Sequence, residues 1–242
     1  MSDKKSRVLG VLGGLGPMSS AYFYELIIAH TKAAADQEHI DMVISSRATI
    51  PDRTEYILGR SKDDPSPAMI DELKKLESYG AGVIAIPCNT AHYFYDKLVG
   101  SVSCEVLNMV EDTVVLCKDR GVSTIGLLAT EGTVGAGIYE SVCKRHGVKC
   151  VHPSPVAQRA VTRIIYDQIK AGVPASLSDV EIASDDLKEK GCEIAVLGCT
   201  ELSVAKKQLR LGRLYLDALE VLAKRAIEAC GKQSVGFGEL EL

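Results

Sequence analysis

Two stretches of the chain match each other: VIAIPCNTAH, which carries Cys88, and EIAVLGCTEL, which carries Cys199. In each, an apolar run breaks at a rigid or small residue, and then comes a cysteine. A threonine follows within two positions, among residues able to open a helix. A thiol at such a corner lies near backbone N–H groups without helical partners and at the positive end of a helix dipole. That setting lowers a thiol pKa from about 8.5 into roughly 3.5–7.5. The group then serves as a thiolate base in one direction and a thiol acid in the other. Asn89, Thr90 and Thr200 add amide and hydroxyl donors, and free N–H groups at such corners suit a carboxylate. Two such corners facing each other could remove a proton from one face of a carbon and return one to the opposite face. That is stereoinversion with no cofactor and no metal.

Other residues offer weaker signals. Free cysteine commonly acts as a small buried hydrophobe, and Cys104, Cys117, Cys143, Cys150, Cys192 and Cys230 lack the matched context, so they are read this way. Arg53, in the turn IPDRT, either forks onto a carboxylate or is solvated. Lys170 closes the segment VTRIIYDQIKAG, where a cation is favoured at a helix end whatever its function. Cys88 and His92 are four apart, a spacing open to a metal. With Cys199 as the only third candidate, no zinc site is expected, and His92 reads as a supporting or satisfied helix residue. The stretch GVLGGLGP fits neither GxGxxG nor GxxxxGK[ST] and reads as a tight turn offering N–H groups to some anion.

The elements that must hold these corners follow a regular order. Apolar runs (RVLGVL, DMVISS, GVIAIP, STIGLL, EIAVLG) alternate with segments of helical period, and the runs lack in–out alternation. Parallel strands covered on both faces have that signature. The inner glycines Gly10 and Gly126 are 116 positions apart, against 111 for the two cysteines, so the same landmarks recur in the same order. Two similar three-layer α/β/α halves are expected, each with a mainly parallel sheet, meeting near 106–113. The expected domains are 1–108, with a C-terminal helix in 215–242 packed back on it, and 109–214. Each cysteine would then lie at the carboxyl edge of its sheet, where open α/β sheets bind ligands. Facing edges would place the thiols on opposite walls of one cleft.

The bulk composition narrows the function classes. A net charge of −4 with scattered Lys and Arg gives no footprint for nucleic acid or an anionic membrane, and no apolar run is long enough to span one. The start, MSDKKSR followed by VLGVLGGLGP, has the outline of a signal peptide. Its glycines and proline make it read instead as a buried strand entering a turn. Eight cysteines with no short CxxC pairs suit free thiols in a reducing cytoplasm.

Eight stretches carry a resemblance to the aspartate/glutamate racemase family, and within it to the aspartate racemase branch. They are GVLGGLGPMSS, IPDRT, IPCNTAHYFYD, LNMVEDT, GLLATEGTVGAGIYE, IIYDQIKAG, GCTELSV and LDALEVLAKRAI, in order along nearly the whole chain. The resemblance implies a cofactor-independent racemase of an acidic amino acid, usually a homodimer, with its site between two pseudo-symmetric domains. Cys88 and Cys199 would be its acid/base pair. Asn89, Thr90 and Thr200 would hold the α-carboxylate and amino group with the loop at Gly14 and Leu15. Arg53 and Lys170 would take the side-chain carboxylate, and Thr130 would line the pocket, with Thr54 and Glu201 beside these motifs. Two departures stand out: SSRAT places Arg47 near the expected site, and RLYLDAL keeps Asp217 without flanking prolines. Arg47 could favour a second carboxylate, change its distance, or pair with Asp52. Aspartate is the expected substrate, glutamate the next. An isomerase or decarboxylase of a small dicarboxylate and a non-catalytic amino-acid sensor remain the alternatives.

Overall fold

The structure, a computed structural model, describes residues 7–238 and Leu240. The first half runs β1 (Val8–Gly13), α1 (Pro17–His30), β2 (Met42–Ser46), α2 (Arg53–Ile57), α3 (Ser66–Ser78), β3 (Ala81–Ala85), α4 (Tyr95–Val99) and β4 (Glu105–Val106). The second runs α5 (Met109–Asp119), β5 (Thr124–Leu128), α6 (Glu131–Gly135), α7 (Ile138–His146), β6 (Lys149–Val151) and α8 (Pro155–Thr162). It continues with α9 (Leu177–Glu189), β7 (Ile194–Leu197), α10 (Thr200–Leu209), β8 (Tyr215–Asp217) and α11 (Ala218–Ala229). The strands form two four-stranded sheets of identical order, β2–β1–β3–β4 and β6–β5–β7–β8. Every pairing in them is parallel. The run at 8–13 is thus a sheet strand, as its glycines suggested, and the basic stretch 1–6 lies outside the described residues.

The paired landmarks have a packing cause. A Cβ on Gly10 would lie 2.9 Å from Ala81 Cβ and 3.2 Å from Leu76 Cβ, and one on Gly126 would lie 2.5 Å from Leu187 Cδ1. Each glycine lets an outer helix, α3 or α9, seat closely on the central strand of its sheet. Helices cover the inner faces as well. One continuous core takes Leu9, Val11 and Val83 from the first sheet and Ile125, Leu127 and Val196 from the second, with Phe23, Val114, Tyr139 and Leu222 from the helices between. Burying one such side chain contributes about 1.5–3 kcal/mol, so this shared layer ties the halves together. One boundary shifts from expectation: residues 215–217 are strand β8, hydrogen-bonded to β7 in the second sheet, and the closing helix begins only at Ala218. That helix packs on α1 and α5. No helix of the described residues is long and apolar enough to cross a membrane.

Candidate active site

Cys88 lies three residues past β3, just before a 3-10 turn at Thr90–Phe94, and Cys199 is the N-cap of α10. Both are buried, and both line one cavity between the two halves. Leu15, Arg53, Thr54, Asn89, Thr90, Thr130, Lys170, Thr200 and Glu201 line it with them. Eleven expected residues therefore converge from distant parts of the chain. Asp52 and Tyr166 join them unexpected. Tyr166 had a readable cue, since it precedes Lys170 by four positions and shares its face of a helix. The segment Arg163–Ile169 is wound as a π-helix, and Lys170 Nζ lies over the Tyr166 ring, 4.6 Å from its centroid.

Three expected residues stand elsewhere. Gly14 has a left-handed φ of +86°, and a Cβ on it would lie 2.5 Å from the Arg47 carbonyl carbon. Its N–H donates to Ser20 Oγ at 2.9 Å, so the glycine closes the turn and Leu15 alone reaches the cavity. Arg47 donates to Glu72 Oε1 at 3.0 Å, an acid that Ser45 and Lys75 also engage. Its partner is thus on α3 and is not Asp52, and it stands off the cavity wall. His92 braces the cysteine loop: Nδ1 bonds the Cys88 carbonyl oxygen at 2.9 Å, and Nε2 accepts the Met109 N–H at 3.1 Å. Burial pulls its pKa down to about 4, which keeps the ring neutral and the Nε2 lone pair available to Met109.

The cavity is electrostatically unfinished. Arg53 spends Nη1 and Nη2 on the carbonyls of Ile50, Pro51 and Leu15, while its buried Nε has no partner. Asn89 accepts from the Tyr139 hydroxyl at 2.6 Å through Oδ1, and its buried Nδ2 has no partner. Lys170 lies 3.9 Å from Glu201 Oε1. Burial opposes its charge, but the Glu201 carboxylate and the neighbouring Cys199 and Tyr166 groups outweigh that and raise its pKa. Unpaired buried donors cost about 1–3 kcal/mol each unless something accepts from them. An anion carrying more than one oxygen is what this lining lacks.

Cys199 departs from the low-pKa expectation. Its thiol donates to Glu201 Oε2 at 3.0 Å, and its pKa lies well above the ordinary thiol value. Burial is the larger cause and the Glu201 charge the second; together they override the helix N-terminus. The cleft is also shut. Only about 20 Å³ remains, room for roughly one water. Thr90 bonds Thr130 (3.2 Å) and Thr133 (2.9 Å) across the seam, and Arg60 bonds Glu131 at 3.2 Å. A wider cavity, ≈ 540 Å³, lies beyond the far end of α10 and holds neither cysteine. Size therefore does not mark the cavity that both cysteines line.

The sequence matches the Asp/Glu/Hydantoin racemase family over residues 12–226. The chain belongs to that family. It is accordingly an amino-acid racemase of the PLP-independent kind. Over 227 residues it is 28% identical to the broad specificity amino-acid racemase RacX of Bacillus subtilis, covering 91% of this chain and 96% of that one. The structure superposes on the aspartate racemase of Picrophilus torridus with a TM-score of 0.79 and 28% identity, covering 97% and 98% of the two chains. It shares its fold with the glutamate racemase of Francisella tularensis, solved with D-glutamate, at a TM-score of 0.64, 18% identity and coverage of 93% and 81%.

Proposed function

We propose that the enzyme inverts the α-carbon of an acidic amino acid, aspartate first and glutamate next, using Cys88 and Cys199 as a reciprocal acid/base pair. The observation that carries this reading is the lining of the closed cleft: two thiols, two cations and two unpartnered buried donors. Arg53 and Lys170 would engage the side-chain carboxylate. The donors at Asn89, Thr90 and Thr200 would engage the α-carboxylate. In one direction the Cys88 thiolate removes the α-proton while the Cys199 thiol, already protonated and aligned by Glu201, delivers its proton to the opposite face. The reverse direction exchanges the roles, and Glu201 then bears on how readily Cys199 gives up its proton. Exclusion of water by the closed cleft strengthens each of these interactions.

A broader amino-acid substrate range is the competing reading, because the Bacillus subtilis relative is named for broad specificity. The paired cations favour the acidic substrates. Proton NMR in heavy water, with no cofactor added, on L- and D-amino acids would separate the two. Loss of the α-proton signal together with inversion, confined to aspartate or glutamate, supports the proposal. Equal exchange of neutral amino acids refutes the acidic preference, and no exchange with any amino acid refutes the two-thiol mechanism.

A further inference from the structure

Glu140, Cys143, Cys150 and His152 form a second group of reactive side chains that the racemase chemistry does not use. The residues are placed for it: Glu140 and Cys143 share a face of α7, Cys150 lies on the adjoining edge strand β6, and His152 follows that strand's last residue. One ligand atom each from Glu140, Cys150 and His152 lies within 4.8 Å of the others, and among the described residues this is the one such acid–thiol–imidazole group. His152 Nε2 contacts Glu140 Oε1 at 2.5 Å. The remaining polar atoms of that pair, Glu140 Oε2 and His152 Nδ1, are buried with no partner. Cys143, three positions after Glu140 on α7, belongs to the buried core against which Cys150 packs, so a fourth donor stands nearby.

We infer that Glu140, Cys150 and His152, with Cys143 as the fourth donor, form a structural binding site for a soft divalent cation such as Zn2+. Thiolate, imidazole and carboxylate are the ligands zinc takes in four-coordinate sites, at about 2.0–2.3 Å from the metal. A tetrahedron of those bonds places ligand atoms about 3.6 Å apart, so side-chain rotations that part the 2.5 Å Glu140–His152 contact and draw in the wider spacings, all within 4.8 Å, complete it. Binding replaces the thiol protons of Cys150 and Cys143, both of which pass to solvent, with metal–sulfur bonds. The site would fasten α7 to the edge of the second sheet. Tyr139, next to Glu140 on α7, is the residue whose hydroxyl holds Asn89 in the catalytic cleft, so the same bond network would steady one wall of the active site.

The test uses the full chain stripped by a chelator, then loaded with Zn2+ or with Co2+ as a spectroscopic probe. We expect about one equivalent retained after dialysis, a thiolate-to-cobalt absorption band, and a rise in melting temperature of about 5–10 °C at zinc 100-fold above Kd. Cys150→Ser and His152→Ala should lose all three, Glu140→Gln should weaken binding more than about tenfold, and Cys88→Ser should keep the metal. Should Cys150→Ser fail to fold, the other two variants still decide. No bound metal in the wild type, or full occupancy in His152→Ala, overturns the inference. Loss of metal in Cys88→Ser would overturn it too, by locating the ion at the catalytic thiols.

Discussion

Gly132 of the second half packs tightly on Thr54 of the first, which lines the site, and adding one methyl there tests whether the closed cleft is the working state. A Cβ at this position would lie 2.9 Å from Thr54 Cα and 2.8 Å from Thr54 Oγ1. The hydroxyl can rotate away; the backbone carbon cannot. Gly132→Ala therefore forces α6 and α2 apart or strains the closed form by about 1–3 kcal/mol, the usual cost of overpacking a tight contact. The open form escapes the clash, so the penalty falls on closure. A penalty of that size lowers the closed population by about 5–150-fold, and kcat/KM should drop by the same factor. Melting temperature should change little, because the clash is relieved without unfolding. The assay is initial-rate racemisation followed by chiral analysis of the product, with scanning calorimetry alongside. A wild-type kcat/KM in Gly132→Ala would refute the claim that turnover passes through this closed arrangement.

Further outcomes follow from the same geometry. Cys88→Ser and Cys199→Ser should each lower kcat by about 10²–10⁴ while leaving ligand affinity, read by calorimetric titration, changed only modestly. Lys170→Met should raise KM for the acidic substrate about 10–150-fold, the loss of one charge-assisted bond, and narrow its advantage over neutral amino acids in the heavy-water exchange panel. Glu201→Gln removes a charge that raises the Cys199 pKa. In the direction needing the Cys199 thiolate, the acidic limb of the kcat/KM profile should then move to lower pH. His92 has a folded pKa of about 4 against an ordinary histidine value of 6.5, so the native state binds fewer protons than the unfolded chain between those values and loses stability as pH falls through them. His92→Gln should remove roughly 3 kcal/mol of that acid sensitivity, seen as a shallower fall in urea stability from pH 6.5 to 4 relative to wild type. Asp217, raised to about 7 by burial and Glu220, acts in the opposite sense over that range and cancels in the comparison.

The long elements of this fold were legible because burial on both faces writes an apolar run, and a helix against a sheet writes a helical period. The edge strands β4, β6 and β8 were not. Glu105–Val106, Lys149–Val151 and Tyr215–Asp217 hold two or three residues each and owe their strand form to a neighbour distant in sequence. The site was readable where a residue type is rare for its context, as with the matched cysteines and the turn arginine. It failed at Arg47 and Gly14, where the deciding partners, Glu72 and the Arg47 backbone, come from other elements. The raised Cys199 pKa was hidden for a related reason. Burial depth and the orientation of Glu201 set its sign, and neither has a local signature.

The repeated sheet topology gives two thiols matching places, and the residue two positions later makes them unlike. After Cys88 that residue is Thr90, whose hydroxyl is engaged with Thr130 and Thr133 across the seam. After Cys199 it is Glu201, whose carboxylate accepts a hydrogen bond from the thiol and sits 3.9 Å from Lys170. Inversion through two bases needs one thiol protonated and the other ionised at the moment the substrate arrives. Symmetrical environments would leave equal chances for both forms and for two unproductive ones. On the proposed mechanism, a carboxylate on one side alone would break that tie in favour of protonated Cys199 and would leave the empty enzyme poised for one direction of reaction. Because Lys170 stands 3.9 Å from Glu201, a substrate carboxylate drawing on that lysine would weaken the cation beside the acid. The proposed mechanism would thereby couple substrate binding to the protonation of Cys199 through that ion pair.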